Sequence, residues 1–453
     1  MGTPGTTDGP TIFALSSAPG RAGVAVFRVS GPMTRNVVQA VCGAVPKPRV
    51  AALKTMRDPT GGGVIDRGLV IWFPGPASFT GEDMAEFHCH GGRAVVLAMR
   101  SALADCEACQ PAEAGDFARR AFQNGKMDLT QAEGLADLID AETEAQRLQA
   151  LKQADGALFQ KVESWRDDLI GAMALVEAAI DFSDEPDVAT DAVSHADERV
   201  RGLVDDIGSV LSDQNRGEIL RDGFRVVLVG PPNAGKSSLL NALARRDAAI
   251  VSEEPGTTRD LIEVRLDLGG VPIILTDTAG LRATESAVEK EGIRRSTESA
   301  KRADLALWLD DPEQPFGTWP SDLDQLALPR DAIRRVLSKG DLLSVAQRAA
   351  APPDAILVSA KSGEGLEVLI SRIVARTAAV CDADTPVYIT QARHREHLSA
   401  ALEYLHGFGQ SGLDVELRAE ELRRAAFELG RLTGRVDVED VLDQVFGRFC
   451  IGK

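Results

Sequence analysis

The spacing of hydrophobic residues divides the chain into stretches of different period. Residues 11–29 contain two apolar runs on either side of a Pro-Gly pair, which predicts two strands joined by a turn, and Gly68 to Phe73 predicts a third strand. The pattern becomes helical near residue 127, and Thr130-x-x-Glu133 predicts a capping box at the first helix. We therefore predict a mixed α/β domain over residues 1–126, followed by long helices over residues 127–221.

A second change of pattern occurs at Phe224. The run F-R-V-V-L-V has the composition of a strand buried on both faces, and a glycine-rich turn and a helical stretch follow it directly. Five more apolar runs have the length of strands, near residues 262–268, 271–276, 305–309, 333–337 and 355–358. Helical stretches between most of them predict a doubly wound α/β domain over residues 222–380.

The last part of the chain returns to helical spacing. Between Glu416 and Leu432 the apolar residues recur every three to five positions, and Gly434 is a suitable stop. We predict a discontinuous helical domain, built from residues 127–221 and 381–453, with the doubly wound domain inserted between its halves.

Charge and cysteine content restrict the possible functions. The formal net charge is −18, and residues 127–221 hold most of it, with 8 basic against 22 acidic side chains. Nonspecific coating of nucleic acid depends on basic residues, so that class is excluded, although a local basic site is not. Six cysteines in 453 residues do not indicate a disulfide scaffold, and no apolar run is long enough to span a bilayer. We expect a cytoplasmic protein without a membrane segment.

Two small motifs carry little weight for metal chemistry. His88-Cys89-His90 lies on an alternating stretch typical of a strand, and Cys106-x-x-Cys109 has no second pair of cysteines. We expect structural roles for both.

The turn after Phe224 contains a complete phosphate-binding motif. Residues 230–237 read G-P-P-N-A-G-K-S, between a predicted strand and a predicted helix. Backbone N–H groups of such a loop cradle phosphates, Lys236 would reach the β and γ oxygens and assist catalysis, and Ser237 would bind Mg²⁺.

Three further motifs follow in order. The first is Gly256-Thr257-Thr258-Arg259-Asp260, where Thr258 would reach the metal. The second is Asp277-Thr278-Ala279-Gly280, where Asp277 would hold Mg²⁺ through water. The third is Ser338-Lys339-Gly340-Asp341 with Ser359-Ala360-Lys361, which resembles the base-reading loops of GTPases.

The four motifs together resemble the Ras-like superfamily of GTPases, in which a carboxylate in the place of Asp341 accepts two hydrogen bonds from guanine. The predicted GTP-binding residues are Asn233, Ala234, Gly235, Lys236, Ser237, Ser238, Ser252, Glu253, Glu254, Pro255, Gly256, Thr257, Thr258, Asp277, Thr278, Ala279, Gly280, Ser338, Lys339, Asp341, Ser359, Ala360 and Lys361.

One position departs from the superfamily pattern. Its base-reading motif begins with Asn, where this chain has Ser338. We expect one side-chain bond to the base and one tie between loops to be absent or shortened. A neutral hydrogen bond contributes about 0.5–1.5 kcal/mol, so GTP binding should weaken while the preference for guanine remains.

The hydrolytic group also differs from the common pattern. Leu281 stands where many GTPases carry a catalytic Gln. The surrounding residues resemble GTPases activated by a monovalent cation, which implies K⁺ ligands at Asn233, Ser252, Glu254 and Thr257. The same resemblance implies that Glu289 orients the attacking water, whereas the residues alone favour a solvated charge on a helix.

Segments outside the nucleotide motifs resemble the MnmE (TrmE) family of tRNA-modification GTPases. They are the N-terminal T-I-F-A-L-S-S-A-P-G-R-A-G-V-A-V-F-R-V-S-G-P, then F-T-G-E-D-M-A-E-F-H-C-H-G-G and F-Q-N-G-K-M-D-L-T-Q-A-E, and the terminal F-C-I-G-K. They occur in the family's order over nearly the whole length.

The resemblance implies a folate-dependent tRNA modification. Residues 1–126 would form a dimerisation domain similar to folate-binding aminomethyltransferases and would hold 5-formyl- or 5,10-methylene-tetrahydrofolate. Arg28, Glu86, Lys126 and Lys453 would contact it, and Cys450 would lie near the one-carbon unit as a catalytic residue. The expected assembly is a homodimer that joins the FAD-dependent MnmG (GidA) in a heterotetramer. Together they would add a carboxymethylaminomethyl or aminomethyl group to carbon 5 of the wobble uridine in certain tRNAs.

Two other functions compete with this interpretation. A ribosome-assembly GTPase with an accessory RNA-binding module would carry a basic segment beside the nucleotide domain, whereas the flanking helices are acidic. A scaffold that binds GTP without turnover would tolerate loss of Glu289.

Overall fold

The computed structural model describes residues 9–182, 184–213, 215–231, 233–245, 262–277, 303–310, 328–380, 387–410, 412–436 and 439–453. The chain forms two compact units. The first unit contains Met1–Ala136, Gln153–Val204 and Ala400–Lys453, and the second contains Asp137–Lys152 and Asp205–Ser399. The predicted domain limits at 126, 221 and 380 stay predictions.

A six-stranded sheet lies at the centre of the first unit. Its strands are β1 (Thr11–Leu15), β2 (Ala22–Ser30), β3 (Ala52–Arg57), β4 (Val64–Phe73), β5 (Met84–Gly91) and β6 (Cys109–Pro111). Their order is β3-β4-β5-β2-β1-β6, and only β1 and β6 run parallel among neighbours. The predicted strand pair over 11–29 is confirmed, with Phe13 opposite Val29.

Alternation along these strands gives the sheet its core. Phe27 and Val29 of β2 and Phe87 of β5 are buried on one face, together with Val37 and Val38 of the first helix. Burial of such side chains contributes about 1.5–3 kcal/mol each. Three helices accompany the sheet: α1 (Thr34–Cys42), α2 (Arg93–Ala104) and α3 (Asp116–Gln123).

The predicted long helices are present. They are α4 (Leu129–Asp140), α5 (Glu144–Ala154), α6 (Ala157–Asp181), α7 (Pro186–Leu211), α12 (Ala392–Phe408), α13 (Val415–Thr433) and α14 (Glu439–Phe446). Gly434 ends α13 in the left-handed region, as its position predicts.

The prediction of a capping box at Thr130 and Glu133 is wrong, because the box lies two residues earlier, at Asp128 and Gln131. Asp128 accepts hydrogen bonds from the backbone N–H groups of Thr130 and Gln131, and the Gln131 side chain accepts one from the Asp128 N–H. Thr130 and Glu133 are buried inside the helix instead. A carboxylate two residues earlier can satisfy the same free N–H groups, so the cap forms there.

Part of the acidity of residues 127–221 is neutralised inside the first unit. Glu163 and Glu177 of α6 accept hydrogen bonds from Arg435 and from Arg423 of α13, each at 2.5 Å. Arg418 of α13 pairs with Asp197 in the same way. Some acidic side chains of these helices are therefore paired with arginines from a distant part of the sequence.

The second unit has the predicted doubly wound sheet. Its strands are β7 (Phe224–Val229), β8 (Ile262–Leu268), β9 (Val271–Asp277), β10 (Leu305–Asp310), β11 (Ile333–Leu337) and β12 (Ile356–Leu357), in the order β12-β11-β10-β7-β9-β8. All neighbours are parallel except β8 and β9. The helices described in this unit are α8 (Arg216–Asp222), α9 (Lys236–Ala244), α10 (Val345–Ala349) and α11 (Leu366–Val380). In a sheet of this type, ligands bind at the carboxyl ends of the strands, where β7 and β9 end beside each other.

Candidate functional site

The phosphate loop leaves β7 and enters α9 through backbone conformations that favour glycine. Gly230 has a φ of +144°, and a Cβ there would come within 2.4 Å of the carbonyl oxygen of Leu309. Asn233 and Gly235 also have positive φ, at 62° and 92°. The sequence motif thus produces a loop that curls tightly ahead of the N-terminus of α9, which is the arrangement that presents N–H groups to an anion.

Lys236 lies across this loop. Its Nζ donates to the carbonyl oxygens of Gly230 and Pro231, at 2.8 and 2.9 Å. Burial lowers the pKa of this lysine from its usual 10.5, and the Asp277 carboxylate partly opposes that shift. The ammonium group is therefore held at the loop, where phosphate oxygens would offer it stronger, charge-assisted partners.

The Mg²⁺ ligands predicted from sequence meet in the structure. Asp277 is fully buried at the end of β9, and its Oδ2 accepts a hydrogen bond of 2.5 Å from the Ser237 hydroxyl at the start of α9. One hydroxyl and one carboxylate at this spacing are the hard oxygen donors that Mg²⁺ takes beside nucleotide phosphates, so the residues fit the metal.

The two predicted base loops are also adjacent. The Ser359 hydroxyl donates to Oδ1 of Asp341 at 2.7 Å, and this bond lowers the pKa of the Asp341 carboxyl, with smaller contributions from Lys361 and Arg348. An ionised carboxylate is the form that accepts hydrogen bonds from guanine.

Ser338 joins the base loop to the phosphate loop. Its buried hydroxyl donates to the carbonyl of Ala234 at 2.5 Å and lies 3.2 Å from that of Asp310. A tie between the two loops is therefore present, made by a hydroxyl where the superfamily has a carboxamide.

Several predicted residues lie outside the described residues, namely Ser252, Glu253, Glu254, Pro255, Gly256, Thr257, Thr258, Thr278, Ala279, Gly280 and Glu289. Three K⁺ ligands, one Mg²⁺ ligand and the water-orienting glutamate among them stay predictions.

A separate cavity of about 370 Å³ lies in the first unit. Its lining residues are Arg28, Arg49, Phe73, Ala77, Ser78, Phe79, Met84, Glu86, Leu135 and Lys453. Three of the four predicted folate contacts are therefore brought together here, although they are as far apart in the chain as positions 28 and 453.

The cavity combines aromatic walls with one ion pair. Arg28 donates to Oε1 of Glu86 at 3.0 Å, and its guanidinium lies 5.3 Å from the ring centre of Phe79. The other Glu86 oxygen faces His88 Nε2 at 3.4 Å. A flat heterocycle with ring N–H groups fits such a site, since the rings offer stacking and the carboxylate offers acceptors.

The chain terminus completes this cavity. The Ser16 hydroxyl donates to the carbonyl of Gly452 at 2.9 Å, and Ile451 bridges to Ala114. A Cβ on Gly452, whose φ is +101°, would come within 2.6 Å of the Leu15 carbonyl. This close approach brings Lys453 to the cavity, whereas Cys450 is exposed and is not among the lining residues.

Lys126 does not line the cavity. Its Nζ donates to the carbonyl of Pro76 at 3.1 Å, directly before the lining segment Ala77–Phe79. In this structure it supports that segment, so a direct folate contact by Lys126 stays a prediction.

Sequence reasoning missed most of the apolar lining. Phe79 and Met84 lie within the F-T-G-E-D-M-A-E-F segment that pointed to Glu86, and that segment was the available signal for them. Arg49, Phe73 and Leu135 gave no such signal, because they come from other parts of the fold.

The residues of the two minor motifs have local partners or are buried. His90 bonds to Asp66 at 2.9 Å, and burial raises the pKa of Cys109 to about 12. Among the residues that the structure describes, no three His, Cys, Asp or Glu side chains are grouped as a metal site would need. None of the described helices combines the length and apolarity needed to cross a membrane.

Taken together, the phosphate loop after a central parallel strand, the buried aspartate on the adjacent strand and the paired base loops define a P-loop GTPase. The family model for the GTP-binding protein TrmE N-terminus matches residues 11–126, and that for the MnmE helical domain matches residues 129–450. The chain belongs to the MnmE family of tRNA modification GTPases.

Named relatives agree along the full length. The tRNA modification GTPase MnmE of Parvibaculum lavamentivorans is 51% identical over 449 residues, covering 98% of this chain and 100% of its own. That of Maricaulis maris is 51% identical over 446 residues, covering 98% and 99%. The human mitochondrial 5-taurinomethyluridine tRNA synthase subunit GTPB3 is 47% identical over 470 residues, covering 100% and 95%.

Proposed function

We propose that this chain is a K⁺-activated GTPase that modifies carbon 5 of the wobble uridine in certain tRNAs. It works in the cytoplasm as a homodimer, with an MnmG-like FAD protein as partner in a heterotetramer. The one-carbon unit comes from 5-formyl- or 5,10-methylene-tetrahydrofolate. The observation that carries the proposal is the convergence of Arg28, Glu86 and Lys453 on one cavity, in a chain that also has the phosphate loop.

The GTP-binding part of the proposal rests on side chains that are positioned by hydrogen bonds within the described chain. Ser237 and Asp277 would bind Mg²⁺, which supplies positive charge against the phosphates. Lys236 would exchange its two carbonyl partners for β and γ oxygens. Asp341, kept ionised by Ser359, would accept hydrogen bonds from guanine, so GTP should outcompete ATP.

K⁺ activation is supported by one described residue. Asn233 has a φ of 62° in the middle of the phosphate loop, a conformation that Asn tolerates better than most side chains. A cation held beside the phosphates would neutralise charge that develops during hydrolysis, the role of an arginine in other GTPases. Replacing K⁺ by Na⁺ should slow GTP hydrolysis, and equal rates in the two salts would refute the cation requirement.

The folate half rests on the chemistry of the cavity. Tetrahydrofolate supplies a transferable one-carbon unit when bound. Glu86 would accept hydrogen bonds from pterin ring donors while Arg28 holds its carboxylate in position. Lys453 would pair with the negative glutamate tail. Cys450 lies three residues from the chain end, and we propose that it acts near the one-carbon unit.

The reaction can be tested in cells that lack the gene. Wobble uridine from a deletion strain is analysed by mass spectrometry after complementation with this chain, with its Cys450→Ser variant or with an empty vector. The proposal expects the modified nucleoside with the unaltered chain and its loss with the variant. Absence of the modification even with the unaltered chain would reject the tRNA assignment. Full modification with the variant would reject the role of Cys450 alone.

A further inference from the structure

The two base loops of the second unit are joined by an arginine outside the known motifs. Arg348 lies on α10, and its Nη2 donates to the carbonyl of Gly340 at 2.7 Å. The same guanidinium donates two hydrogen bonds to the Glu364 carboxylate, from Nη1 to Oε1 at 2.6 Å and from Nη2 to Oε2 at 3.1 Å. Paired, parallel bonds of this kind fix orientation as well as distance.

Both partners of Arg348 connect directly to the groups that would read the base. Gly340 precedes Asp341 in the chain, and the Glu364 carbonyl accepts a hydrogen bond from the Ser359 N–H at 2.9 Å. Ser359 in turn donates its hydroxyl to Asp341. The contacts form a closed ring from Arg348 through Gly340, Asp341, Ser359 and Glu364.

The helix that carries Arg348, α10, is not held in place by burial of its own side chains. None of its residues is buried, and Val345 is 85% exposed. A capping box closes its start, since Ser344 and Gln347 exchange hydrogen bonds. Among the contacts described for α10, the cap fixes its first turn and the three bonds of Arg348 connect it to Gly340 and Glu364.

Ser338 can make fewer hydrogen bonds than the Asn of the superfamily, so the base loops need another connection, which Arg348 supplies. Asn in that position has two amide hydrogens and a carbonyl oxygen, whereas the Ser338 hydroxyl has one hydrogen. That hydrogen is used toward Ala234 of the phosphate loop. The connection between the base loops is then left to Ser359 with Asp341, to the Gly340 N–H with the Val358 carbonyl at 2.9 Å, and to Arg348.

We propose that Arg348, held by Glu364, is a positioning residue for guanine recognition that takes over part of the loop contact made by Asn in other GTPases. The inference rests on the proposed role of Asp341 in reading the base. Arg348 acts through Asp341 and Ser359 and does not itself contact the nucleotide.

The test compares binding of GDP, IDP and ADP to the full chain. IDP lacks the 2-amino group, so it can give the Asp341 carboxylate one hydrogen bond where GDP gives two. The variants are Arg348→Ala, Arg348→Lys and Glu364→Gln. Arg376→Ala is the matched control, because Arg376 is also 36% exposed and pairs with Asp331 at 2.9 Å. Thermal unfolding midpoints show whether each variant is folded.

We expect Arg348→Ala to raise the Kd for GDP roughly 2- to 12-fold, because one net hydrogen bond contributes about 0.5–1.5 kcal/mol. The Kd for IDP should rise by a smaller factor. The preference for GDP over IDP should therefore fall in Arg348→Ala. It should be almost as low in Arg348→Lys, because an ammonium group cannot make the paired, parallel hydrogen bonds of a guanidinium. Arg376→Ala should leave the preference unchanged. In a Ser338→Asn background, Arg348→Ala should have a smaller effect.

Two other outcomes would distinguish a failure of the base assignment from a failure of the role proposed for Arg348. If the unaltered chain binds ADP as well as GDP, the base assignment fails, and this inference fails with it. If the unaltered chain prefers GDP but Arg348→Ala shifts GDP and IDP equally, or shifts neither, the base assignment stands and the positioning role of Arg348 is overturned.

Discussion

The phosphate loop of the second unit and the cavity of the first unit are built in opposite ways. The motif of the loop is eight consecutive residues, six between β7 and α9 and two in the first turn of α9, and backbone groups supply most of the binding groups in such a loop. The cavity takes its lining from positions between 28 and 453, and side chains supply nearly all of its chemistry. A contiguous backbone site is fixed by local conformation, whereas a dispersed side-chain site exists only when distant segments pack correctly.

The difference has consequences for mutation. At the phosphate loop, loss of function should follow from direct substitutions of the few side chains that reach the ligand. At the cavity, a residue that never touches the ligand can matter as much as one that does, because it holds a lining segment in position. The following substitutions test this contrast.

The largest effect is expected from Lys236→Ala. Two charge-assisted hydrogen bonds to phosphate together contribute about 3 kcal/mol or more, so kcat/KM for GTP should fall about 100-fold or more. The loop should keep its shape, because Lys236 only folds over carbonyls that its backbone already presents. Steady-state hydrolysis measures the loss, and the exposed Lys152→Ala is the control. A small change would mean that the loop does not hold a triphosphate.

A smaller effect is expected from Glu86→Gln. The substitution keeps the shape of the side chain but removes its charge, so both the contact to Arg28 and the acceptor for pterin donors weaken. We expect the Kd for 5-formyl-tetrahydrofolate to rise roughly 10- to 100-fold, with GTP binding unchanged. Asp66→Asn is the control, since Asp66 pairs with His90 instead. Equal folate binding by the Glu86 variant would remove the cavity as the folate site.

The smallest effect, and the sharpest test of the contrast, is Gly452→Ala. A side chain at a φ of +101° and 2.6 Å from the Leu15 carbonyl should displace the terminal segment and draw Lys453 away from the cavity. Folate affinity should fall about five- to tenfold, which corresponds to the lower end of the roughly 1–3 kcal/mol that such backbone strain costs.

The control for this variant is Gly412→Ala. Gly412 has a φ of +86° but nothing within 4 Å of its added Cβ, so it carries the same backbone strain without the contact. Equal folate affinities for the two variants would show that the terminus does not complete the cavity.

Local patterns predicted most of the fold. The apolar runs of β2 and β7 and the stop at Gly434 predicted elements that the structure confirms. The capping box failed because two polar residues within one turn could serve as the cap, and Asp128, not Thr130, has the position to receive the free N–H groups. The pairing of Glu177 with Arg423 and of Glu163 with Arg435 could not be predicted, because the partners are more than 200 residues apart in the chain.

The candidate site divides in the same way. Lys236, Ser237 and Asp277 were predictable because a strand, a turn and a helix N-terminus position them by short-range geometry. The contacts of Arg348 were not predictable, because nothing in the spacing of Gly340, Arg348 and Glu364 requires them to meet.

The sequence by itself therefore determined the phosphate loop, the order of the strands along the chain and, through resemblance, the family. Only the tertiary structure decided that Arg49, Phe73 and Leu135 join Arg28 and Lys453 in one cavity, and that one arginine joins the two base loops. Local motifs encode backbone conformation within a few residues, where steric limits leave few alternatives. Contacts between distant side chains depend on how whole elements pack, which no short segment specifies.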